Sequence, residues 1–321
     1  MSLNLPSYRH TFRSMGSTIE ILLVGHDAAG TDAIATFALA ETLAAEWERT
    51  FSRFRPDSEI SRLNGQAGQP VEVSERLYRA IEIALEGTRL SGGLFDPTIL
   101  PALIASGYDR TFDAIAQDGP ALIDHISVPG VADIRLDSER FTVTLPPETQ
   151  IDLSGVVKGL YADLLAGSGH WAGGAISAGG DLRVWGVPPN GDAWLIGVED
   201  ADEPSRDAAY LQLNYGAVAT SGINRRAWRR GGALCHHLID PRSGLPAESG
   251  VRTATAVSTT AVQAEIAATA LAVGGWKHPS ARALIRQAIV ILNDGQVINL
   301  RGAMGRHVDV VQCSGTAAVA A

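Results

Sequence analysis

The chain has 321 residues, of which 45% are hydrophobic and 19% are charged. This composition is normal for a globular protein with a sizeable core, and it argues against a largely disordered chain. The 26 basic and 35 acidic residues give a formal net charge of −9, which provides no general attraction for nucleic acid or for an anionic membrane surface. The two cysteines exclude a disulfide framework.

No segment of the sequence predicts a signal peptide or a membrane-spanning helix. Residues 1–17 lack the apolar run of a signal peptide, and no segment approaches the roughly 20 apolar residues that a membrane helix needs. We therefore expect a cytoplasmic protein without membrane insertion, or a periplasmic one if a leader has been removed. Without a low-complexity linker, residues 1–321 are expected to form a single, compact, two-lobed domain, with a structured core at about residues 12–312 and short tails.

The first half of the chain predicts one strand followed by helices. Residues 17–25 favour the strand, and the helix at residues 32–51 is expected to place Ile34, Phe37, Trp47 and Phe51 roughly on one buried face. A short second helix is expected to stop at Asn64, with Gly65 in the left-handed conformation that ends many helices. The three predicted helices lie at residues 32–51, just after residue 57 and at residues 75–90.

The second half of the chain is richer in strands, which mostly lack intervening helices. This pattern favours antiparallel pairing and predicts an α+β fold, because a parallel sheet would need a regular alternation of strands and helices. Two helices interrupt the strands, at about residues 155–167 and 261–273. The strands are predicted at residues 141–145, 175–179, 194–199, 210–214, 251–258, 288–292 and 296–300.

The late helix carries two polar residues on an otherwise apolar surface. Thr260 and Gln263 form a capping box, which fixes the start of the helix. Glu265 and Thr269 then lie one turn apart on one face. A carboxylate and a hydroxyl are hard oxygen ligands that suit Mg²⁺. In the alternative interpretation, Glu265 faces solvent and Thr269 bonds back to a helix carbonyl.

Residues 151–166 predict a strand end followed by a helix. Ser154 is expected to cap this helix, while Gly155 and Gly159 permit close approach of another backbone. Free amides at the helix start and the charge of Lys158 suit phosphate binding. The segment matches neither a Walker A loop nor a dinucleotide-binding glycine motif. A capped helix without a ligand is the alternative.

Residues 233–246 combine histidines with a carboxylate-bearing turn. In an extended segment Cys235 and His237 would share a face, and His236 would point the other way. Residues 240–244 predict a strong turn. A histidine beside this turn is a candidate general base, and a structural histidine is the alternative. The segment lacks the further ligands that a zinc site would need.

Three more glycine segments place glycine beside Thr, Ser or Asp at the end of an apolar run. They lie at residues 92–101, 177–186 and 217–226. Taken singly, each of them predicts a turn. In the last segment, Thr220 and Ser221 offer hydroxyl groups.

Together and in this order, these segments resemble the ApbE family, flavin transferases that move FMN from FAD onto a protein threonine or serine. The resemblance extends from about residue 12 to residue 275. The sequence departs from the family's motifs at Ser154, which replaces a glycine, at Ser243, which replaces a threonine, and at Glu265, which replaces an aspartate. The matching segments are residues 15–17, 57–64, 93–98, 152–159, 179–181, 220–222, 237–244 and 264–269.

The resemblance implies a T-fold-related α+β architecture with mixed, largely antiparallel sheets and flanking helices. It also implies that Glu265, Thr269 and a backbone carbonyl near Gly155 hold Mg²⁺. Because glutamate is one methylene longer than the family's aspartate, its carboxylate is expected to overreach unless the backbone shifts.

The resemblance further implies that His237 is the base for the incoming hydroxyl. It places Met15, Phe95 and Asp96 near the adenine end of FAD. The other cofactor contacts that it implies are Asp152, Lys158, Gly180, Asp181, Thr220 and Ser221.

The implied reaction is the Mg²⁺-dependent transfer of FMN from FAD to a Thr or Ser hydroxyl of an acceptor flavoprotein, with release of AMP. The acceptor would carry a short motif around the modified residue. Two alternatives remain at this point: hydrolysis of FAD to AMP and FMN, and FAD binding without turnover.

Overall fold

The computed structural model describes residues 5–25, 30–116, 118–122, 125–203, 205–302, 309–313 and 318–320, with the last two segments described as backbone only. Within these residues, no helix is both long and apolar enough to cross a membrane.

Helices and strands together fill most of the described chain. The helices are α1 (Gly30–Phe51), α2 (Glu59–Asn64), α3 (Glu75–Leu90), α4 (Leu100–Ala105), α5 (Ser154–Ala166), α6 (Ala261–Gly274) and α7 (Pro279–Ala283), with short 3₁₀ turns at Pro97–Ile99 and Phe112–Ala114. The strands of the first half are β1 (Ser7–Ser14), β2 (Ser17–Val24), β3 (Pro70–Glu72), β4 (Arg135–Asp137) and β5 (Thr142–Thr144). The later strands are β6 (Gly173–Ala178), β7 (Asp181–Gly186), β8 (Trp194–Glu199), β9 (Asp207–Leu213), β10 (Gly216–Gly222), β11 (Ala227–Arg230), β12 (Ala233–His236), β13 (Ile239–Asp240), β14 (Leu245–Pro246), β15 (Val251–Ser258), β16 (Gln287–Leu292), β17 (Val297–Arg301), β18 (Asp309–Cys313) and β19 (Ala318–Ala320).

A nine-stranded sheet in the order β1-β2-β6-β7-β10-β15-β16-β17-β19 forms the centre of the fold. Its strand pairs are antiparallel except for β17 and β19, which run parallel. Smaller sheets are formed by β18-β9-β8, by β3-β5-β4 and by two short hairpins. The predicted α+β class with largely antiparallel pairing is therefore confirmed.

The large sheet is covered on both faces. Strand β10 shows the alternation: Ala217 and Ala219 pack in the main core with α5 and α6, whereas Val218 belongs to a second core. Side chains of the β8-β9 pair, including Trp194 and Leu211, fill that second core. Because successive residues of a strand point to opposite faces, α5 and α6 are fixed against the central strands, and these two helices carry the polar residues of interest.

The prediction for the buried face of α1 was wrong at Ile34. This side chain is 71% exposed, while Ala33, Ala40, Ala44 and Trp47 are buried. The buried residues repeat at intervals of seven, four and three, which is the stripe of an amphipathic helix. Ile34 directly follows Ala33 and is thus rotated by about 100° out of the stripe.

The end of α2 was predicted correctly in place but not in conformation. The helix stops at Asn64, yet Gly65 has a φ of −76°, so the backbone stays right-handed. The Asn64 side chain donates to the Ile151 carbonyl and accepts from the Ile151 amide, both at 2.9 Å. Asparagine at this position therefore joins two segments that are far apart in the sequence.

Several strands escaped prediction because their sequences are polar or rich in small residues. Strand β1 lies at one edge of the large sheet and alternates exposed with half-buried residues. The segment at residues 217–226, predicted as a turn, instead places Thr220 and Ser221 inside strand β10, where they pair with β15. The turn at Gly179 and Gly180 is confirmed, because both glycines have positive φ and join β6 to β7 as a tight hairpin.

Candidate functional site

A lysine between two carboxylates lies where α5, α6 and β7 meet. The ammonium of Lys158, on α5, forms ion pairs with Asp181 at the start of β7 and with Glu265 on α6. The Nζ–Oε1 distance to Glu265 is 2.9 Å. The side chains of Asp181 and Glu265 are 4% and 6% exposed. Burial opposes the charge on Lys158, but the two carboxylates outweigh it and raise the pKa of the ammonium.

Glu265 is held through both of its carboxylate oxygens. While Oε1 accepts from Lys158, Oε2 accepts from the Gly159 amide at 3.2 Å. Burial, followed by the neighbouring charge of Asp181, raises the pKa of Glu265 above its usual value. The interpretation in which Glu265 faces solvent is therefore wrong, and the sequence prediction of a polar site on this helix face stands.

Glycine in α5 allows the two helices to approach closely. A Cβ on Gly159 would lie 2.6 Å from the Val262 backbone nitrogen, a distance so short that the backbone would have to shift. At the start of α6, Thr260 Oγ1 accepts from the Gln263 amide, so the predicted threonine cap is confirmed. These two features fix Glu265 next to Lys158.

Hydroxyl groups extend the site along α6 and β10. Thr269 shares a hydrogen bond of 3.2 Å with Ser221, and Thr220 shares one of 2.9 Å with Thr255. The alternative in which Thr269 bonds only within its own helix is therefore wrong. Glu265 and Thr269 do lie on one face, as the four-residue spacing predicts.

Two tight turns border the lysine cluster. Met15 and Gly16 have φ values of +53° and +64° and form the two-residue turn of the β1–β2 hairpin, and the Met15 amide donates to Glu48 at 2.6 Å. The other turn lies next to it: a Cβ on Gly179 would be 2.6 Å from Ser17 Oγ and 3.5 Å from Lys158 Cδ. The adjacent Gly180 faces open space.

The prediction that Ser154 caps α5 was wrong. Ser154 is already the first helical residue, and its amide donates to Asp152 Oδ1 at 2.6 Å. The other Asp152 oxygen pairs with Arg53 Nε at 2.7 Å, with both side chains less than a tenth exposed. Asp152 therefore stabilises the start of α5, and Arg53 is a neighbour that sequence reasoning missed.

Phe95 and Asp96 lie beside the start of α5. A Cβ on Gly155 would lie 2.8 Å from the Phe95 ring. Asp96 Oδ1 accepts from the Thr98 amide and hydroxyl, both at 2.7 Å, and burial raises the pKa of Asp96. The Asp152 amide donates to the Pro97 carbonyl. The structure therefore joins Phe95, Asp96, Asp152 and Gly155 at one end of α5, one turn before Lys158.

The expectation that Cys235 and His237 share a strand face was wrong. Strand β12 ends at His236, so His237 lies beyond the strand, while Cys235 is fully buried in a core beside Trp228. Burial raises the pKa of the Cys235 thiol. The turn after these residues is confirmed, because Asp240 accepts from the Arg242 amide and Gly244 has a φ of +70°.

His237 lies close enough to the lysine cluster to be affected by its charge. Burial, then the positive charges of Arg226, His236 and Lys158, lower the pKa of His237 to about 3. Its Nδ1 is buried and makes no hydrogen bond with any described residue. At neutral pH this imidazole is therefore uncharged and able to accept a proton.

The donor atoms around Glu265 fit a divalent cation in their chemistry. Carboxylate, hydroxyl and carbonyl oxygens are what Mg²⁺ prefers. In a regular helix the Gly159 amide nitrogen lies about 3 Å from the Gly155 carbonyl oxygen. The same nitrogen lies 3.2 Å from Glu265 Oε2. The Gly155 oxygen is therefore within about 6 Å of Glu265 Oε2. No cluster of three or more Asp, Glu, His or Cys side chains suited to a metal occurs in the described ranges, so carbonyl and hydroxyl oxygens would have to complete the ligand set.

The one carboxylate of α5, at Asp163, was missed by the sequence reasoning. Asp163 accepts from the amides of Ala261 and Val262, at 2.9 and 3.1 Å, and so caps α6 from outside. It also pairs with Arg183 Nε at 3.1 Å. An isolated carboxylate in the apolar run of α5 is the signal that marks it in the sequence.

Comparison with known proteins agrees with this fold and shows the family. The ApbE family model matches residues 15–291, so the chain belongs to the ApbE family. The FAD:protein FMN transferase of Treponema pallidum is 30% identical over 292 residues, covering 83% of this chain and 79% of that protein. That of Haemophilus influenzae is 25% identical over 274 residues, covering 82% and 79%.

Solved structures show the same architecture. The ApbE protein of Thermotoga maritima superposes with a TM-score of 0.79 at 24% identity, covering 91% of this chain and 96% of its own. The flavin transferase ApbE of Vibrio cholerae superposes with a TM-score of 0.76 at 22% identity, covering 93% and 98%. These similarities confirm the predicted ApbE-like fold.

Proposed function

We propose that the protein transfers FMN from FAD to a Thr or Ser hydroxyl of an acceptor flavoprotein, in a Mg²⁺-dependent reaction that releases AMP. Membership of the ApbE family makes the chain an enzyme of the flavin transferase class. The proposal of a Mg²⁺-dependent transfer to a hydroxyl rests on the buried cluster of Lys158, Asp181 and Glu265. This cluster combines a cation that can bind phosphate with hard oxygen ligands for a metal.

In the proposed step, the acceptor hydroxyl oxygen forms a bond to the phosphorus of the FMN moiety. The bond between this phosphorus and the bridging oxygen breaks, and AMP leaves with that oxygen. His237 takes the proton of the attacking hydroxyl. The lowered pKa of His237 keeps the imidazole unprotonated at neutral pH, so its ring nitrogen is available to accept a proton, but it also weakens the imidazole as a base. The anionic substrate would raise the low pKa and make His237 a stronger base.

The residues proposed to hold Mg²⁺ are Glu265, Thr269 and the carbonyl of Gly155. A bound Mg²⁺ would neutralise the charge that develops on the phosphate oxygens. Lys158 supplies a second positive charge, so a dianionic diphosphate can bind to a protein whose net charge is −9. The remaining contacts to FAD are proposed at the start of α5, at the two glycine turns and on β10, by Met15, Phe95, Asp96, Asp152, Gly180, Asp181, Thr220 and Ser221.

The decisive experiment incubates the protein with FAD, Mg²⁺ and a candidate acceptor domain. Covalent flavin fluorescence on the acceptor, with one AMP released per flavin transferred, supports the proposal. Release of AMP without a labelled acceptor indicates hydrolysis, and bound, intact FAD indicates a binding protein. Either result would contradict transfer. Labelling that persists after Mg²⁺ is chelated would contradict the metal dependence, and labelling that persists in His237→Gln would contradict the assignment of His237 as the base.

A further inference from the structure

We propose that Lys158 and a divalent cation compete for Glu265, which makes the metal and the nucleotide diphosphate bind cooperatively. This inference rests on the proposed function and describes how the same site is loaded. In the structure, Lys158 acts as an internal cation between two buried carboxylates, Asp181 and Glu265.

The competition follows from the contacts of Glu265. Both carboxylate oxygens are already engaged, Oε1 by the Lys158 ammonium at 2.9 Å and Oε2 by the Gly159 amide at 3.2 Å. A metal ion bound to Oε1 at about 2.1 Å would face the ammonium across a few ångströms in a buried site. Two positive charges at that distance repel strongly where water is excluded. Lys158 therefore has to leave Glu265 when the metal binds.

Lys158 is also the member of the cluster that is free to move. Its side chain is 16% exposed, compared with 4% for Asp181 and 6% for Glu265. Its stem passes close to Gly179, and the adjacent Gly180 faces open space. A lysine side chain has a flexible four-carbon stem, so the ammonium can turn away from Glu265 toward an anion in this space while the carboxylate remains fixed by Gly159.

The exchange couples the two ligands. A diphosphate draws the ammonium away from Glu265 and exposes an oxygen for the metal. Conversely, the metal releases the ammonium for the diphosphate. Thermodynamic linkage requires each ligand to strengthen the binding of the other by the same factor, and a coupling of about 10-fold lies in the range typical of such effects.

The test measures the affinity for Mg²⁺ by isothermal titration calorimetry, with and without saturating ADP as a diphosphate that carries no FMN. In the wild type, ADP should strengthen Mg²⁺ binding about 10-fold. In Lys158→Gln, Mg²⁺ should bind several times more tightly than in the wild type without ADP, and the effect of ADP should shrink at least fivefold. Lys277→Gln is the matched control, because Lys277 is exposed on the surface and its loss removes the same charge.

A double variant separates competition from net charge. Lys158→Gln with Asp181→Asn keeps the cluster charge of the wild type, and it also avoids leaving two buried carboxylates without a cation. It should bind Mg²⁺ without ADP at least as tightly as the wild type and show the same reduced coupling. Circular dichroism verifies that each variant is folded.

The outcomes distinguish the two proposals. Equal coupling by ADP in the wild type and in both Lys158 variants would overturn the competition and leave the metal-dependent function intact. If the folded wild type binds no Mg²⁺ even with ADP, the metal requirement of the proposed function fails, and the competition fails with it.

Discussion

The carboxylate of Asp163 accepts a hydrogen bond of 2.9 Å from the main-chain amide of Ala261, the first residue of α6. A carboxylate at a helix N-terminus satisfies unpaired amides and interacts favourably with the helix dipole. Because Glu265 lies one turn further along α6, Asp163 fixes the position of the candidate metal ligand without touching it.

We expect Asp163→Ala to lower the free energy of unfolding by about 2 kcal/mol, since it leaves two helix amides without an acceptor and removes the carboxylate that pairs with Arg183. It should also weaken Mg²⁺ binding, because the start of α6 is released. Asp163→Asn retains one acceptor and should recover part of both properties. Chemical denaturation and calorimetric titration measure the two effects, and an unchanged Mg²⁺ affinity in a destabilised Asp163→Ala protein would limit Asp163 to a structural role.

The glutamate at position 265 is expected to fit its surroundings better than the family's aspartate. Its carboxylate reaches both Lys158 and the Gly159 amide, and an aspartate would withdraw it by one methylene. Glu265→Asp should therefore lower the melting temperature and not accelerate acceptor labelling. Glu265→Gln, which keeps the length and removes the charge, is the control. Faster labelling by Glu265→Asp would show that the longer side chain is a handicap.

The histidine assigned as base should make stability depend on pH. The pKa of His237 is lowered from 6.5 to about 3 in the folded protein, so the unfolded chain binds the proton more tightly. The stability that the folded protein has with His237 buried and uncharged is fully present above pH 6.5. It is lost as the pH falls toward 3, because the unfolded chain then gains free energy by binding the proton. Between pH 7 and pH 5 the loss should be about 2 kcal/mol.

Denaturant titrations at pH 7 and pH 5 measure this loss. His237→Gln should abolish that part of the pH response, whereas His125→Gln, at an exposed position, should leave it unchanged. The imidazole resonance of His237 should also show no titration above pH 5 in the protein without ligands. An inflection between pH 6 and pH 7 assigned to His237 would contradict the burial of its ring.

The packing of α5 on α6 should be intolerant of a single methyl group at Gly159. Gly159→Ala places a Cβ 2.6 Å from the Val262 backbone nitrogen, and overpacking of this kind costs about 1–3 kcal/mol. Gly65→Ala is the matched control, because Gly65 has a φ of −76° and its nearest neighbour would be at 3.4 Å. Thermal melting compares the two, and equal stability would mean that the helices adjust at little cost.

The sequence was most informative where a local rule applies. The cap at Thr260 defines the register of α6, and the four-residue spacing then places Glu265 and Thr269 on one face. The turn at Gly179 and Gly180 also follows from local chemistry, because only glycine adopts such positive φ angles readily.

Contacts between distant segments could not be predicted in this way. The partners of Lys158 are 23 and 107 residues away, and no periodicity within α5 indicates them. Similarly, the sequence around Thr220 resembles a turn, but pairing with the distant strand β15 extends β10 through Thr220 and Ser221. Ser154 was predicted as a cap because it is a favoured cap residue, yet Asp152 takes this role since its other oxygen is held by Arg53.

The separation of these partners along the chain has a consequence for folding. Lys158 and Asp181 come from neighbouring segments, whereas Glu265 is added only when α6 docks. Contacts between residues so far apart form slowly, because closing a long loop costs entropy. During synthesis a neutral Lys158–Asp181 pair can form first and then receive the second carboxylate. We therefore expect the proposed metal and diphosphate site to be completed late in folding, and recovery of ligand binding after denaturation should report the docking of α6.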